Sequence, residues 1–493
     1  MAGNEDQAKI SRKIEENLEY LKERLQLGES NFDVILKEIT IGGKKAALLF
    51  LDGFTNSQIS SFILRAVLNV KREEITPAPL EKLLRQIIPF VEVTPINDLE
   101  EAIREALAGP MILFLDGERQ ALVIDTREYP VRSPEEPDIE KVTRGSRDGF
   151  VETLVYNIAL IRRRIRDPQL RVEAIKAGQR SVTDVAILYL NDVARPEIVD
   201  QVRKRIKSIN IDALPMAEKS VEEFIAGSYW NPFPEVRYTE RPDVAAAHLV
   251  EGHVVIIVDT SPSVMIAPVT FFHHLQHAEE FRHSAIIGTY IRWVRMLGFL
   301  LSFLLIPVWI LLAEEPRYLP EFLSFIGPKE QAAIPLYLQF IIAHFGLDLV
   351  RMASIHTPSP FATALGLVGA LLIGQIAVEV GFFVPEVLLY TGLVALGIFA
   401  TPSWELSMAN RVVLLLLILS TGIFGLPGLL GGLAVLVLRI GTTRSFGFPY
   451  LWPLIPFNAK ALLSIVVRRP IPVSRIRPSF LKVKDVDRMQ NKP

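Results

Sequence analysis

Cysteine is missing from all 493 residues. Disulfides, thiolate catalysis and cysteine-ligated zinc or iron–sulfur sites are therefore excluded. A net charge bias is missing too: 53 Lys and Arg stand against 55 Asp and Glu. That balance gives no sign of a nucleic-acid partner. The motifs of common chemistry are also wanting. GGKK (Gly42–Lys45) lacks phosphate-loop spacing, and no GxGxxG, GxSxG or HExxH occurs. With no nucleophile–base constellation visible, the expectation is a protein that is no enzyme and carries no cofactor. The opening residues, MAGNEDQAKISRKIEENLEYLKERL, hold no apolar stretch, so no cleaved leader is expected.

Apolar residues are plentiful, at 50% of the chain, and they concentrate in the second half. Four runs are long enough, or nearly so, to enter a bilayer: Met296–Ala313, Phe361–Val380, Phe382–Ala400 and Val412–Leu438. A weaker run, Ile334–Val350, contains His344 and Asp348. The last long run is interrupted by GIFGLPG (Gly422–Gly428), which makes either a kink or a hairpin of two half-helices. Four to six membrane segments are thus expected, in a multi-pass membrane protein whose lipid partner is the bilayer. From Arg439 onward 11 basic residues face only Asp485 and Asp487, whereas the loop after the first run carries four Glu. The positive-inside rule then places both termini in the cytoplasm.

The first half reads as α/β. KKAALLFLDGF (Lys44–Phe54) is a buried-type strand with an Asp-Gly turn, then a helix to about Val70. MILFLDGERQALVIDT (Met111–Thr126) reads as a hairpin, and LFLDG recurs in both stretches. TDVAILYLNDVARPEIVDQV (Thr183–Val202) and HVVIIVDTSPSV (His253–Val264) repeat the same grammar. The acidic strand ends Asp52, Asp116, Asp192 and Asp259 are either ligand-holding groups or turn formers. The basic run LIRRRIRD (Leu160–Asp167) could face nucleic acid or anionic lipid, but reads better as the solvated C-terminal end of a helix. The expected organisation is two small α/β cytoplasmic subdomains (1–130 and 131–270), an interfacial linker helix (271–295), an all-α polytopic membrane domain (296–440) and a basic cytoplasmic tail (441–493).

FFHHLQHAEEFRHS (Phe271–Ser284) holds four of the eight histidines. His273 and His277 are one helical turn apart, and Glu280-x-x-His283 shares a face, a spacing that permits metal ligation. Its position before the first apolar run favours a different reading. There, His273, His274, His277, His283, Arg292 and Arg295 belong to an interfacial helix coupling the two halves, with no metal. A pH-responsive role is a further reading of the histidines. Within the apolar half, Gln375, Glu379 and Glu386 are the candidate residues of a cation path, because ionisable groups in membrane segments are costly. The alternative is that the glutamates are interfacial and solvated. Small-residue stretches GLVGALLIG (Gly366–Gly374) and GLPGLLGG (Gly425–Gly432) suit close helix packing.

Several long stretches resemble one family. TRGSRDGFVETLVYNIALIRRRI (Thr143–Ile165), FPEVRYTERPDVAAAHLVEGHVVIIVDTSPSVMIAPVTFF (Phe233–Phe272), HTPSPFATALGLVGALLIGQIAVEVGFFVPEV (His356–Val387) and FATPSWELSMANR (Phe399–Arg411) are similar to segments of GerA-family spore germination proteins of the A-subunit type. The last two point to a branch outside the nutrient-receptor operons. The resemblance implies a protein of the spore inner membrane that acts in germination. It implies a two-part cytoplasmic domain ahead of a membrane domain, and a homo-oligomer, a pentamer, forming an ion channel with other germination membrane proteins as partners. On the same resemblance the chain need not bind a nutrient itself. A non-conducting signalling or scaffold subunit is the alternative function, and a secondary transporter a third.

Overall fold

The computed structural model describes residues 9–28, 30–88, 92–126, 136–137, 140–315, 327–329, 334–356, 369, 374 and 376–488. They form two compact units. The first comprises residues 1–227, 238–268 and 474–493, and the second residues 228–237 and 269–473.

The first unit holds two five-stranded sheets. Strands β1 (Val34–Ile41), β2 (Lys44–Leu51), β3 (Val93–Ile96), β4 (Met111–Leu115) and β5 (Ala121–Ile124) lie in the order β1-β2-β4-β5-β3. Strands β6 (Leu170–Ala177), β7 (Thr183–Leu190), β8 (Arg237–Thr239), β9 (Val254–Val258) and β10 (Val264–Ala267) lie in the order β6-β7-β9-β10-β8. The second order is the first shifted by five. Neighbours β1–β2, β2–β4, β4–β5 and β3–β5 are antiparallel, as are β6–β7, β7–β9 and β9–β10.

Helices cover both faces of the first sheet, which explains its unbroken apolar strands. Ala47, Leu49 and Leu51 of β2 join a core with helices α1 (Ile14–Leu25) and, between β3 and β4, Leu99–Ala108. Ala46 and Leu48 point the other way, into a core with α2 (Ser57–Leu68). The period-2 alternation survives in the packing although both faces are apolar.

The duplication extends to single hydrogen bonds. Each sheet is preceded by a helix, α1 for the first and α3 (Leu154–Arg162) for the second. The first helical N–H of each is taken by an aspartate at the end of a central strand. Ile14 N–H donates to Asp116 Oδ1 at 3.2 Å, and Leu154 N–H to Asp259 Oδ1 at 2.9 Å. In both helices the fourth residue is an asparagine that bonds back six residues. Asn17 Oδ1 accepts from Ser11 N–H (2.8 Å) while its Nδ2 donates to Ser11 O (2.7 Å). Asn157 does the same with Val151, at 2.8 and 2.6 Å. Gly117 N–H reaches Arg12 O at 2.7 Å, and Thr260 N–H reaches Glu152 O at 2.7 Å.

The two sheet halves meet through a buried arginine. Arg162 grips Asp33 with two nitrogens, at 2.9 and 3.2 Å, and also donates to Asn31 Oδ1 and Leu170 O. Its bidentate geometry is the strong form of ion pair. This corrects the expectation that the run 160–167 is wholly solvated: Arg162 is fully buried, and Arg164 pairs with Asp148 at 2.7 Å.

The second unit is helical: α4 (Ala285–Glu314), α5 (Leu336–His356), α6 (Pro385–Phe399), α7 (Trp404–Phe424), α8 (Leu426–Thr442) and α9 (Ala459–Val466). Helices α4, α5 and α7 are long and apolar enough to cross a membrane. Helix α6, with 15 residues, is shorter than the roughly 20 that span a hydrocarbon core. Of the run Phe361–Val380, only 369, 374 and 376–380 fall within the described residues. The interrupted last run is a hairpin. Gly425 takes φ 62°, ψ −138°, and a Cβ on Gly428 would lie 1.9 Å from Ser420 O. Helices α4 and α6 also touch backbone to backbone, where a Cβ on Gly397 would lie 2.4 Å from Gly298 O. Phe299, Ile306, Trp309, Phe340, Val394 and Ile418 form the core between these helices.

Two sequence boundaries change. A single interfacial helix over 271–295 is not formed. Instead two short 3-10 turns, Phe271–Leu275 and Ala278–Phe281, precede α4, which begins at Ala285. The segment after 441 is built rather than trailing. It contains a two-stranded ribbon and α9, and residues 474–488 belong to the first unit. There Lys484 N–H donates to Val193 O at 3.0 Å, Arg477 Nε to Val250 O at 2.8 Å, and Leu481 is fully buried.

Candidate functional site

The four histidines of 271–284 take separate partners, because two tight turns replace the expected helix. His273 Nδ1 accepts from Thr270 N–H at 3.0 Å and closes the first turn. His274 is buried with its ring 6.0 Å from that of Tyr450. Burial, with the Arg237 guanidinium nearby, pushes its pKa down to about 3. His277 Nδ1 accepts from Glu279 N–H at 3.2 Å and starts the second turn. His283 Nε2 lies 2.9 Å from Glu279 Oε1. The expected Glu280–His283 face is therefore not formed.

Glu280 instead turns inward and is fully buried. Arg292 Nε meets it at 2.6 Å, and Arg295 pairs with its other oxygen. Arg292 also donates from Nη1 to Ser464 O (3.1 Å) and Ile465 O (2.7 Å), two carbonyls of the last turn of α9. Orphan carbonyls at a helix C-terminus favour such a cation. One carboxylate thus ties the turn 278–281 to the base of α4, and one of its arginines carries the tie to α9. Sequence spacing identified Arg292 and Arg295 but assigned them no partner.

Inside the helical unit the candidate cation-path residues do not form one cluster. Gln375 lies outside the described residues. Glu379 is exposed at the end of the short helix Ala377–Glu379. Glu386 is half-buried in the first turn of α6, where its Oε1 accepts from Lys329 N–H at 3.3 Å.

A different polar set does come together. Asp348 of α5 and Arg411 of α7 form an ion pair at 2.7 Å, with Arg411 buried. Arg411 Nη2 also donates to His344 O at 3.0 Å. The His344 ring is fully buried, and its nitrogens meet no hydrogen-bond partner among the described residues. Nearby on α7, Asn410 donates to Ser302 of α4. Gln339 Oε1 accepts from Val384 N–H at 2.9 Å. His344 and Asp348 stood out in the sequence as polar breaks in an apolar run. Arg411 escaped notice because the next apolar run starts one residue later, at Val412.

A duplicated α/β module joined to three helices long and apolar enough to cross a membrane, with an ion pair between two of them, marks a membrane protein with an α/β part. The chain matches the Bacillus/Clostridium GerA spore germination protein family over residues 19–480, and it belongs to that family. It is 46% identical to stage V sporulation protein AF of Bacillus subtilis (strain 168), over 98% of this chain and 97% of that one. It is 31% identical to spore germination protein GerLA of Bacillus cereus, over 96% and 97%. The crystal structure of the N-terminal domain of the A subunit of the Bacillus megaterium spore germinant receptor GerK3 matches 54% of this chain and 98% of that one, at 26% identity and a TM-score of 0.41.

Proposed function

We propose that this chain is a subunit of an oligomeric ion channel of the spore inner membrane, opened during germination, and that it is no enzyme. The observation that carries the reading is the pair of half-buried Asp348 with buried Arg411, together with the buried His344 ring, within helices apolar enough to cross a membrane. Charges within membrane-spanning helices are expensive and mark ion paths or relays. On this reading both termini face the cytoplasm and α7 and α8 offer exposed apolar residues such as Leu416 and Val435 to neighbouring copies and to lipid. Several copies, a pentamer in the family reading, surround the path, and other germination membrane proteins are the partners. Glu379 and Glu386 then serve as an acidic mouth for cations.

The test is flux through the purified chain in liposomes. A conducting subunit releases trapped cations, and Asp348→Asn changes the rate or selectivity at least several-fold. A scaffold subunit stays silent even with its partners present. Unchanged selectivity in both Glu379→Gln and Glu386→Gln would remove the acidic mouth while leaving the Asp348 path intact.

A further inference from the structure

We propose that α9 and the loop before it form, with the first turns of α4, a docking surface for the headgroups of anionic lipid. The proposal rests on the reading of α4 as a membrane span.

Helix α4 has 30 residues. At about 1.5 Å per residue it is roughly 45 Å long, against a hydrocarbon core of about 30 Å. Some ten residues therefore lie outside the core. Its apolar run extends to Ala313, near the C-terminal end, so the surplus falls at Ala285–Arg295. That surplus leaves Ile286, Tyr290 and Trp293 exposed, spaced to share one helix face, while Arg292 and Arg295 turn inward to Glu280. Exposed Tyr and Trp mark the level of the headgroups.

Helix α9 is fastened to this part of α4. Trp293 Nε1 donates to Val466 O at 2.9 Å, and Arg468 N–H to Thr289 Oγ1 at 3.1 Å. With the Arg292 contacts to Ser464 and Ile465, these bonds fix α9 beside the second and third turns of α4. Ile465 faces inward and is buried. The other side leaves Leu463 54% exposed, and the preceding loop leaves Phe457 70% exposed. Lys460 and Arg469 are exposed as well. Apolar side chains interleaved with cations suit a helix lying at an anionic membrane surface. The surface is continuous with the lipid-facing part of α4. A water-facing helix would gain nothing from exposing Phe457 and Leu463 on either side of Lys460. The interfacial role that the sequence assigned to 271–295 thus passes to a segment some 170 residues later, while 271–284 folds into turns that hold Glu280.

Because the chain has no cysteine, one introduced cysteine is the only labelling site. The full-length variants F457C, L463C and V308C would carry a nitroxide and be reconstituted in phosphatidylglycerol/phosphatidylethanolamine vesicles. Access to oxygen and to a water-soluble nickel complex gives the depth of each label. Val308, an exposed residue within the apolar run of α4 and five residues short of its far end, is the membrane-embedded reference. The expected result is an interfacial depth for 457 and 463, shallower than 308. Adding Lys460→Glu and Arg469→Glu should bring the labels outward, to the depth seen in phosphatidylcholine vesicles. Aqueous values at 457 and 463 would overturn the proposal. So would labels shielded from both reagents, which would mean cover by a second copy or another protein. Aqueous values at 308 as well would instead sink the reading of α4 as a span.

Discussion

Asp33 and Arg162 have side chains only 1% exposed, and each is the other's main compensation. Removing one partner of such a pair leaves a bare charge, at a cost of about 3–5 kcal/mol. Asp33→Ala should therefore lower the unfolding midpoint of the first unit markedly, while an exposed pair such as Lys22–Glu38, cut by Lys22→Ala, should cost under about 1 kcal/mol. Thermal or denaturant unfolding in detergent checks both, and equal effects would contradict the assignment. His274 makes a prediction in pH. Its folded pKa near 3 lies below the ordinary value of 6.5, so the unfolded state binds the proton between these limits. Its contribution to stability is complete above about pH 6.5 and is lost as pH falls toward 3. His274→Phe should flatten that part of the stability–pH curve. Little of this was legible in the sequence. Arg162 stands among four arginines that look alike, and only the fold singles it out. The histidine stretch suggested ligands by i, i+4 spacing, a rule that lapses once the segment is two turns.

The elements were more legible. The hairpin at Met111–Thr126 and the strand–turn–helix after Lys44 follow from apolar runs closed by Asp-Gly, and the structure forms both. The recurring LFLDG falls twice within the first sheet, on β2 and β4, and so does not reveal the duplication of that sheet by the second; the matching asparagine brackets of Asn17 and Asn157 sit in dissimilar local sequence. Bracketing of this kind secures a helix start, so Asn157→Ala should cost about 1–2 kcal/mol by leaving buried backbone groups of Val151 unpaired. In the helical unit, hydropathy found the apolar stretches but could not set their ends. Helix α4 starts eleven residues ahead of its apolar run because Ile286, Tyr290 and Trp293 continue one face past the arginines. The break at Gly425 was visible, but hairpin and kink differ only in how closely the two arms approach. Gly428→Val should wedge α7 from α8, since its first added carbon already meets Ser420 O. A lowered melting temperature and a reduced folded yield in detergent are expected, and wild-type behaviour would contradict the close approach.

At the scale of the whole molecule, family membership and a membrane-crossing helical part follow from the chain itself, and conduction is the claim that needs a measurement. The C-terminal residues 474–488 return to the first unit, so the helical unit is joined to the second sheet's chain at both of its ends. Ending the chain after Val473 should uncover the surface that Phe480 and Leu481 bury and speed proteolysis around Val250–His253, read by mass spectrometry of timed digests. Unchanged cleavage would show that the return segment holds nothing. The ion path is the centre of the account. Purified wild-type chain and Asp348→Asn, in liposomes loaded with potassium, give the most direct test. The account predicts cation release by the wild type and a several-fold change in rate or selectivity in the variant. Silence from the wild type with its partner proteins present, or identical release from both proteins, would contradict it.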